Sequence, residues 1–93
     1  MVIGVLRVEI LIPGVQSLKE KRKVVKSLKD KIKNKFNVSV SEVDYSDKWQ
    51  RSMIGIAQVG NDMKYIEKNL NSIYQLLISN YSIQVIDRLI EFY

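Results

Sequence analysis

Cations that could bind phosphates are concentrated between Ser17 and Phe36, which hold nine of the fifteen basic residues. The segment contains only two acids and therefore carries a net charge of +7, nine cations less two anions. The rest of the chain carries −2, from six basic and eight acidic residues. Five of the cations recur every three or four residues, a spacing that places them along one side of a helix. We call this set the cationic ridge: Lys19, Arg22, Lys26, Lys29 and Lys33.

A row of cations without interleaved acids favours a polyanionic partner. Such a row contacts phosphates and reads little base sequence, so RNA is the polyanion that we expect. The alternative is a solvated helix surface whose lysines only keep the protein soluble. In that case the chain would be a homodimeric protein-interaction or assembly module without nucleic-acid binding.

Trp49 and Arg51, beside a predicted turn between two strands, are further candidates for nucleic-acid binding. An exposed indole ring can stack on a base, an interaction worth roughly 1–3 kcal/mol. The ring of Trp49 could instead cover one end of the hydrophobic core, the role that the sequence slightly favours.

Three acids close together in the sequence, Glu42, Asp44 and Asp47, suggest a metal site. Lys48 and Arg51 follow directly, so cross-strand ion pairing is the better interpretation. The chain has no cysteine and no histidine. This composition excludes disulfides, thiol and imidazole chemistry, and zinc sites built from the usual ligands. We expect no metal and no cofactor.

A small enzyme of the acylphosphatase type is a third alternative, because the predicted topology can host one. Such an enzyme needs an arginine in the anion-binding loop after the first strand. The loop between Ile12 and Ser17 has none, and Arg22 comes later, inside the helix. Fold analogy alone is weak support for an activity, so we expect a protein that is not an enzyme.

The ridge belongs to a predicted helix from Ser17 to Phe36. Pro13 and the glycine after it interrupt the preceding segment. Ser17 and Glu20 have the spacing of a capping box, in which the Glu20 carboxylate is expected to bond back to the Ser17 amide. Asn37 is the expected C-cap.

An apolar stripe recurs along the same helix at helical spacing and predicts the side that faces the core. Lys21, Lys31 and Lys35 are expected to flank the stripe and to lay their aliphatic stems over it. The stripe consists of Leu18, Val25, Leu28, Ile32 and Phe36, with Val24 alongside.

The rest of the chain predicts four strands and a second helix. Residues 2–12, 38–45, 50–59 and 82–93 alternate or concentrate β-branched residues as strands do. A slip in the alternation near Ser41 and Glu42 predicts a β-bulge. The second helix is expected from Asn61 and Asp62 to Asn80. The order β-α-β-β-α-β predicts a single α+β domain, residues 1–93, with the ferredoxin-like fold of two helices on one face of a four-stranded antiparallel sheet.

One face of that sheet is expected to stay uncovered and to carry apolar side chains beside Arg7 and Glu9. This is more apolar surface than a monomer usually exposes, so the sequence predicts a homodimer through the open face. No segment approaches the roughly 20 apolar residues of a membrane span. Residues 2–12 lack the basic leader of a signal peptide, and the absence of cysteine fits a cytoplasmic protein.

A resemblance to a known family is carried by four segments, IPGVQSLKEKR, VVKSL, FNVSVSEVDY and WQRSMIGIAQV. They resemble the YlxP-like family, a bacterial domain of unknown function. The likeness runs from Val2 to Val59, whereas residues 60–93 match only in pattern. It implies a ferredoxin-like fold and, because members are typically encoded among translation and ribosome-maturation factors, a role near the ribosome. It implies no catalytic residues. The matching positions are Ser17, Leu18, Lys19, Glu20, Lys21 and Arg22 on the helix, and Glu42, Asp44, Trp49, Gln50 and Arg51 around the hairpin.

Overall fold

A computed structural model describes all 93 residues as two helices packed on one four-stranded sheet. The strands lie in the order β2-β3-β1-β4, and each neighbouring pair is antiparallel. This is the predicted ferredoxin-like α+β fold, and each element ends within two residues of its predicted limit. The elements are β1 Val2–Leu11, α1 Leu18–Lys35, β2 Ser39–Asp44, β3 Arg51–Gly60, α2 Met63–Ile78 and β4 Gln84–Phe92.

The central position of β1 follows from its apolar content. Leu6, Val8 and Ile10 are fully buried beneath the helices, as their alternation predicts. Gly4 lies where α2 comes closest to the sheet, and a Cβ at this position would overlap the side chain of Ile66. The missing side chain therefore lets α2 pack directly on β1.

The two helices cover the same face of the sheet. α2 packs against β1, β3 and β4, whereas α1 packs against the edge strand β2. Asp62 caps α2 as predicted, with Oδ1 accepting from the amides of Lys64 at 3.0 Å and Tyr65 at 3.3 Å. Neither helix has the combination of length and apolar character that crossing a membrane requires.

Both helices end differently from the prediction. Phe36, not Asn37, is the C-cap of α1, and its amide donates to the Ile32 carbonyl at 2.9 Å. α2 ends at Ile78 with Ser79 as its C-cap. Asn80 does not close α2.

The predicted bulge is present in β2. The register of β2 against β3 shifts between Glu42 and Asp44, so Val43 is the extra residue, next to the predicted position. A bulge bends the strand and re-aims the side chains around it. Here it lies directly before the β2–β3 turn.

Candidate nucleic-acid interface

α1 begins at the predicted cap, but one bond of the cap differs. The Ser17 hydroxyl accepts from the Glu20 amide at 3.1 Å, as expected. The Glu20 carboxylate accepts from the amide of Gln16 at 2.8 Å, whereas the prediction named the Ser17 amide. Each bond satisfies a backbone donor at the start of the helix, so the cap also holds the last residue of the preceding loop.

The cationic ridge lies on the side of α1 that faces away from α2. Val24 and Lys31, on the other side, line shallow hollows together with Tyr81 of the α2–β4 turn. At about 100° per residue, Arg22 and Lys33 are rotated roughly 160° around the helix from these two residues. Because α1 covers the edge strand β2, the ridge overhangs the free edge of the sheet.

The ridge is accessible along its whole length. Four of its side chains are exposed and that of Lys29 is half-buried. From Lys19 to Lys33 the helix rises by roughly 21 Å, at about 1.5 Å per residue. The positive charge therefore forms a line that several consecutive phosphates of one strand can follow.

One acid interrupts this line, so the interpretation that the ridge lacks interleaved acids is wrong. Lys26 Nζ donates to Asp30 Oδ2 at 2.8 Å, and both side chains are exposed. The hydrogen bond raises the pKa of Lys26 and lowers the pKa of Asp30. The charges of Lys33 and Lys29 lower the pKa of Asp30 further. Asp30 thus neutralises part of the ridge at its middle.

Arg51 does not join the ridge. It projects from the open face of the sheet, the face without helices, where its Nε and Nη2 both contact Glu9 Oε2 at 2.5 Å. Its guanidinium also stacks on the ring of Tyr45, 4.0 Å from the ring centroid. The hydrogen bond with Glu9 raises the pKa of Arg51. A phosphate at this position would have to compete with an ion pair that is already made.

Trp49 is 53% exposed, so the alternative that it covers the end of the core is wrong. Its ring lines a shallow hollow with Leu11, Lys48 and Arg51. Leu11 belongs to the open face, because its side chain has the same direction as that of Glu9, two residues earlier. The structure therefore brings Trp49 together with Arg51 on the open face, opposite the helices.

The hairpin acids do not make the predicted pairs with neighbouring cations. Glu42 binds Lys21 of α1, and Asp44 Oδ1 accepts from the amide of Tyr45 at 2.7 Å. Asp47 is in no ion pair. No group of three acids is arranged to hold a metal ion.

The sequence interpretation missed a buried polar cluster around Lys21. This side chain is 1% exposed and lies at the centre of the apolar stripe, not at its flank. Its Nζ lies 2.7 Å from Glu42 Oε2 and donates to the Tyr45 carbonyl at 2.5 Å. Ser52 Oγ donates to the same carboxylate oxygen at 2.5 Å. The available signal was the spacing of Lys21, four residues before the buried Val25 and thus on the same side of the helix.

Further side-chain bonds fix the loops around this cluster. Tyr45 has a φ of 62°, a conformation that residues other than glycine rarely adopt. Its carbonyl accepts from the Lys48 amide at 3.1 Å as well as from Lys21. Gln50 Nε2 donates to the carbonyls of Pro13 at 3.3 Å and Val15 at 2.9 Å. The start of α1, the loop before it and the β2–β3 turn are therefore joined by side chains, which fixes the ridge relative to the sheet.

The fold and this surface define a small ferredoxin-like protein with one strongly cationic helix. A family described as "Protein of unknown function (DUF503)" matches residues 3–90, and the chain belongs to this family. The match extends into β4 and so includes most of residues 60–93, which the sequence analysis related to the family only in pattern.

A bacterial protein and a designed protein illustrate the likeness. The "Uncharacterized protein YlxP" of Bacillus subtilis (strain 168) is 43% identical over 77 residues, which cover 83% of this chain and 84% of that protein. The "De novo designed protein Foldit4" superimposes with a TM-score of 0.53 over 99% of this chain and 94% of its own, at 16% identity. At that identity the designed protein supports the fold alone.

Proposed function

We propose that this protein is a non-enzymatic module that binds RNA through the cationic ridge and assists ribosome maturation or translation. The supporting observation is the ridge itself, five cations along one exposed side of α1 with a single acid among them. The ribosomal partner comes from the family resemblance and gives the protein a cytoplasmic location. Trp49 and Arg51 lie outside the interface that we propose.

The chemistry of the ridge favours phosphates over bases. Lysine ammonium groups on flexible stems act as point charges, and Arg22 can also bind a phosphate through two parallel hydrogen bonds. Neither kind of contact reads base identity. The cluster around Lys21 contributes indirectly, because it holds α1 in place while the ridge binds. We therefore expect RNA binding with weak dependence on sequence.

The salt dependence of binding tests this proposal. Each phosphate contact on a single strand contributes about −0.7 to the slope of log affinity against log salt concentration. Four or five contacts give a slope of about −2.8 to −3.5. The value of about −2.8 applies if Lys26 remains paired with Asp30 and makes no phosphate contact. Fluorescence anisotropy with a labelled RNA between roughly 50 and 200 mM salt measures the slope.

A matched pair of double variants identifies the surface. Arg22→Gln with Lys33→Gln removes two ridge charges and should reduce the magnitude of the slope by about 1.4 for every RNA tested. Lys64→Gln with Lys68→Gln makes the same change of net charge on α2, where both side chains are exposed. Co-sedimentation with ribosomal subunits should show the same difference. Equal losses in the two double variants would contradict a specific role for the ridge.

A further inference from the structure

The open face of the sheet is mainly apolar over three consecutive cross-strand rows, a row being the residues directly opposite one another on neighbouring strands. Leu89, Val59 and Tyr93 on these rows are 45%, 61% and 68% exposed. An apolar surface of this kind on a soluble protein marks an interaction site. The rows are Val59, Ile3 and Tyr93; Ser39, Ala57, Val5 and Glu91; and Ser41, Gly55, Arg7 and Leu89.

The third row carries both a hollow and a projecting side chain. A hollow of about 400 Å³ lies over Gly55 and Ala57, and its walls include Val5, Val43 and the charged Arg7. Gly55 cannot carry a side chain here, because its Cβ would lie 2.8 Å from Val43 Cγ1. Leu89 projects from β4 in the same row, two strands away from Gly55.

We propose that a second copy of this chain covers the open face, through a two-fold axis that runs parallel to the strands between β1 and β3. Such an axis lays β4 of one copy over β2 of the other. It also places each row of one copy opposite the same row of the other copy. Leu89 of each copy then enters the hollow beside Ser41 of the other copy. This inference does not depend on RNA binding.

The charges of the open face favour a second copy over a nucleic acid. Within the three rows Arg7 and Glu91 pair with each other, with Arg7 Nη2 3.3 Å from Glu91 Oε1, so this area is neutral. The next row toward the β2–β3 turn contains the acids Glu9, Asp44 and Asp87. Arg51 neutralises Glu9, whereas Asp44 and Asp87 are in no ion pair, repel phosphates and set the rim of the contact. Packing through the open face also leaves both ridges on the outside, away from each other.

The small size of the contact limits the affinity that we expect of it. Three rows of about 7 Å each across four strands at about 4.8 Å cover roughly 400 Å² on each copy, so the contact buries on the order of 800 Å² over both copies. This area is below the roughly 1,000 Å² of a stable specific interface and is typical of a weak, transient contact. We therefore expect a reversible dimer with a dissociation constant on the order of micromolar, populated at high protein concentration.

Disulfide trapping tests the contact, because the chain has no cysteine of its own. Leu89→Cys protein mixed with Ser41→Cys protein should form a mixed disulfide faster than either forms with itself. Ser27→Cys, exposed on α1, replaces Ser41→Cys in the control mixture and should not trap Leu89→Cys. A mixed disulfide no faster than in the control mixture would overturn the proposed register.

Sedimentation velocity over rising protein concentration provides the second measurement. Wild-type protein should shift from monomer to dimer, and Leu89→Glu should remain monomeric while its circular dichroism and RNA affinity stay unchanged. Ile78→Glu places the same charge on an exposed apolar position of α2 and should still dimerise. A wild-type protein that stays monomeric at several hundred micromolar would overturn the proposal. The RNA titrations decide the ridge separately.

Discussion

Lys21 Nζ lies 2.7 Å from Glu42 Oε2. The lysine side chain is almost completely buried and the glutamate side chain is only 18% exposed, so this is a buried ion pair. The pair joins the first turns of α1 to the bulged end of β2. A buried ion pair contributes little net stability, because desolvation of the two charges offsets their attraction. Its loss has a large effect, since the remaining charge stays buried without a partner.

Glu42→Leu should therefore destabilise the protein by about 3 kcal/mol, because it leaves the Lys21 charge without its counter-ion. The double variant Lys21→Met with Glu42→Leu should recover most of this loss. Chemical denaturation measures both. Lys26→Met, which breaks the exposed pair with Asp30, is the control and should leave stability nearly unchanged, because an exposed ion pair contributes little. If the loss in the double variant equals the sum of the losses from Lys21→Met alone and Glu42→Leu alone, the two residues are not coupled.

Ser17→Ala should cost about 1 kcal/mol of stability, because the Glu20 amide loses its acceptor at the start of α1. Glu20→Gln should cost less, since a glutamine oxygen can still accept from the Gln16 amide. Urea denaturation of the three proteins measures this order. If Glu20→Gln proves the more damaging change, the carboxylate charge near the helix N-terminus matters more than the cap bond.

Asp30→Asn should strengthen RNA binding, because it frees Lys26 and removes the one acid from the ridge. The slope of log affinity against log salt should steepen by a little under one unit, about 0.7 per added contact. Glu67→Gln on α2 makes the same charge change on an exposed side chain away from the ridge. Equal gains from both changes would show that net charge alone controls the affinity.

The pKa of Asp30 is lowered by the hydrogen bond from Lys26, which gives a pH dependence of known sign. A lowered folded-state pKa contributes stability above the unfolded-state value, and this contribution disappears as pH falls through the folded-state value. The Asp30 carboxyl should therefore titrate below its ordinary 3.8 in an NMR experiment. Lys26→Met should move the midpoint back toward that value. An unshifted midpoint in the wild type would mean that the pair does not persist in solution.

Trp49→Ala should reduce stability by less than about 1 kcal/mol, because the ring lies largely outside the core. We expect the RNA affinity to remain within about twofold, since Trp49 lies on the open face and not on α1, and the salt slope to remain unchanged, since the indole ring carries no charge. Anisotropy titrations at two salt concentrations measure both quantities. A tenfold loss of affinity would instead indicate a base stacked on the ring, worth at least about 1 kcal/mol.

Local pattern was sufficient for most of the fold. The alternation in β1, the spacing in α1 and the cap at Asp62 each depend on residues close together in the sequence. The structure confirms all three. The ionic partners were not accessible in this way. Glu42 follows Lys21 by twenty-one residues, and Arg51 follows Glu9 by forty-two, so each pair exists only because the sheet brings its members together. Neighbours in sequence therefore suggested the wrong partners.

The position of β1 between β3 and β4 also has a consequence for how the chain folds. The β2–β3 hairpin is local, but both neighbours of β1 come from far along the chain. The chain loses the entropy of closing these long loops before the strand contacts that offset the loss can form. Folds with many contacts between residues far apart in sequence therefore fold slowly. During synthesis the second edge of β1 has no partner until Gln84–Phe92 emerges. A nascent chain therefore presents an unpaired, strongly apolar strand edge, which exposes it to aggregation until its last strand is made.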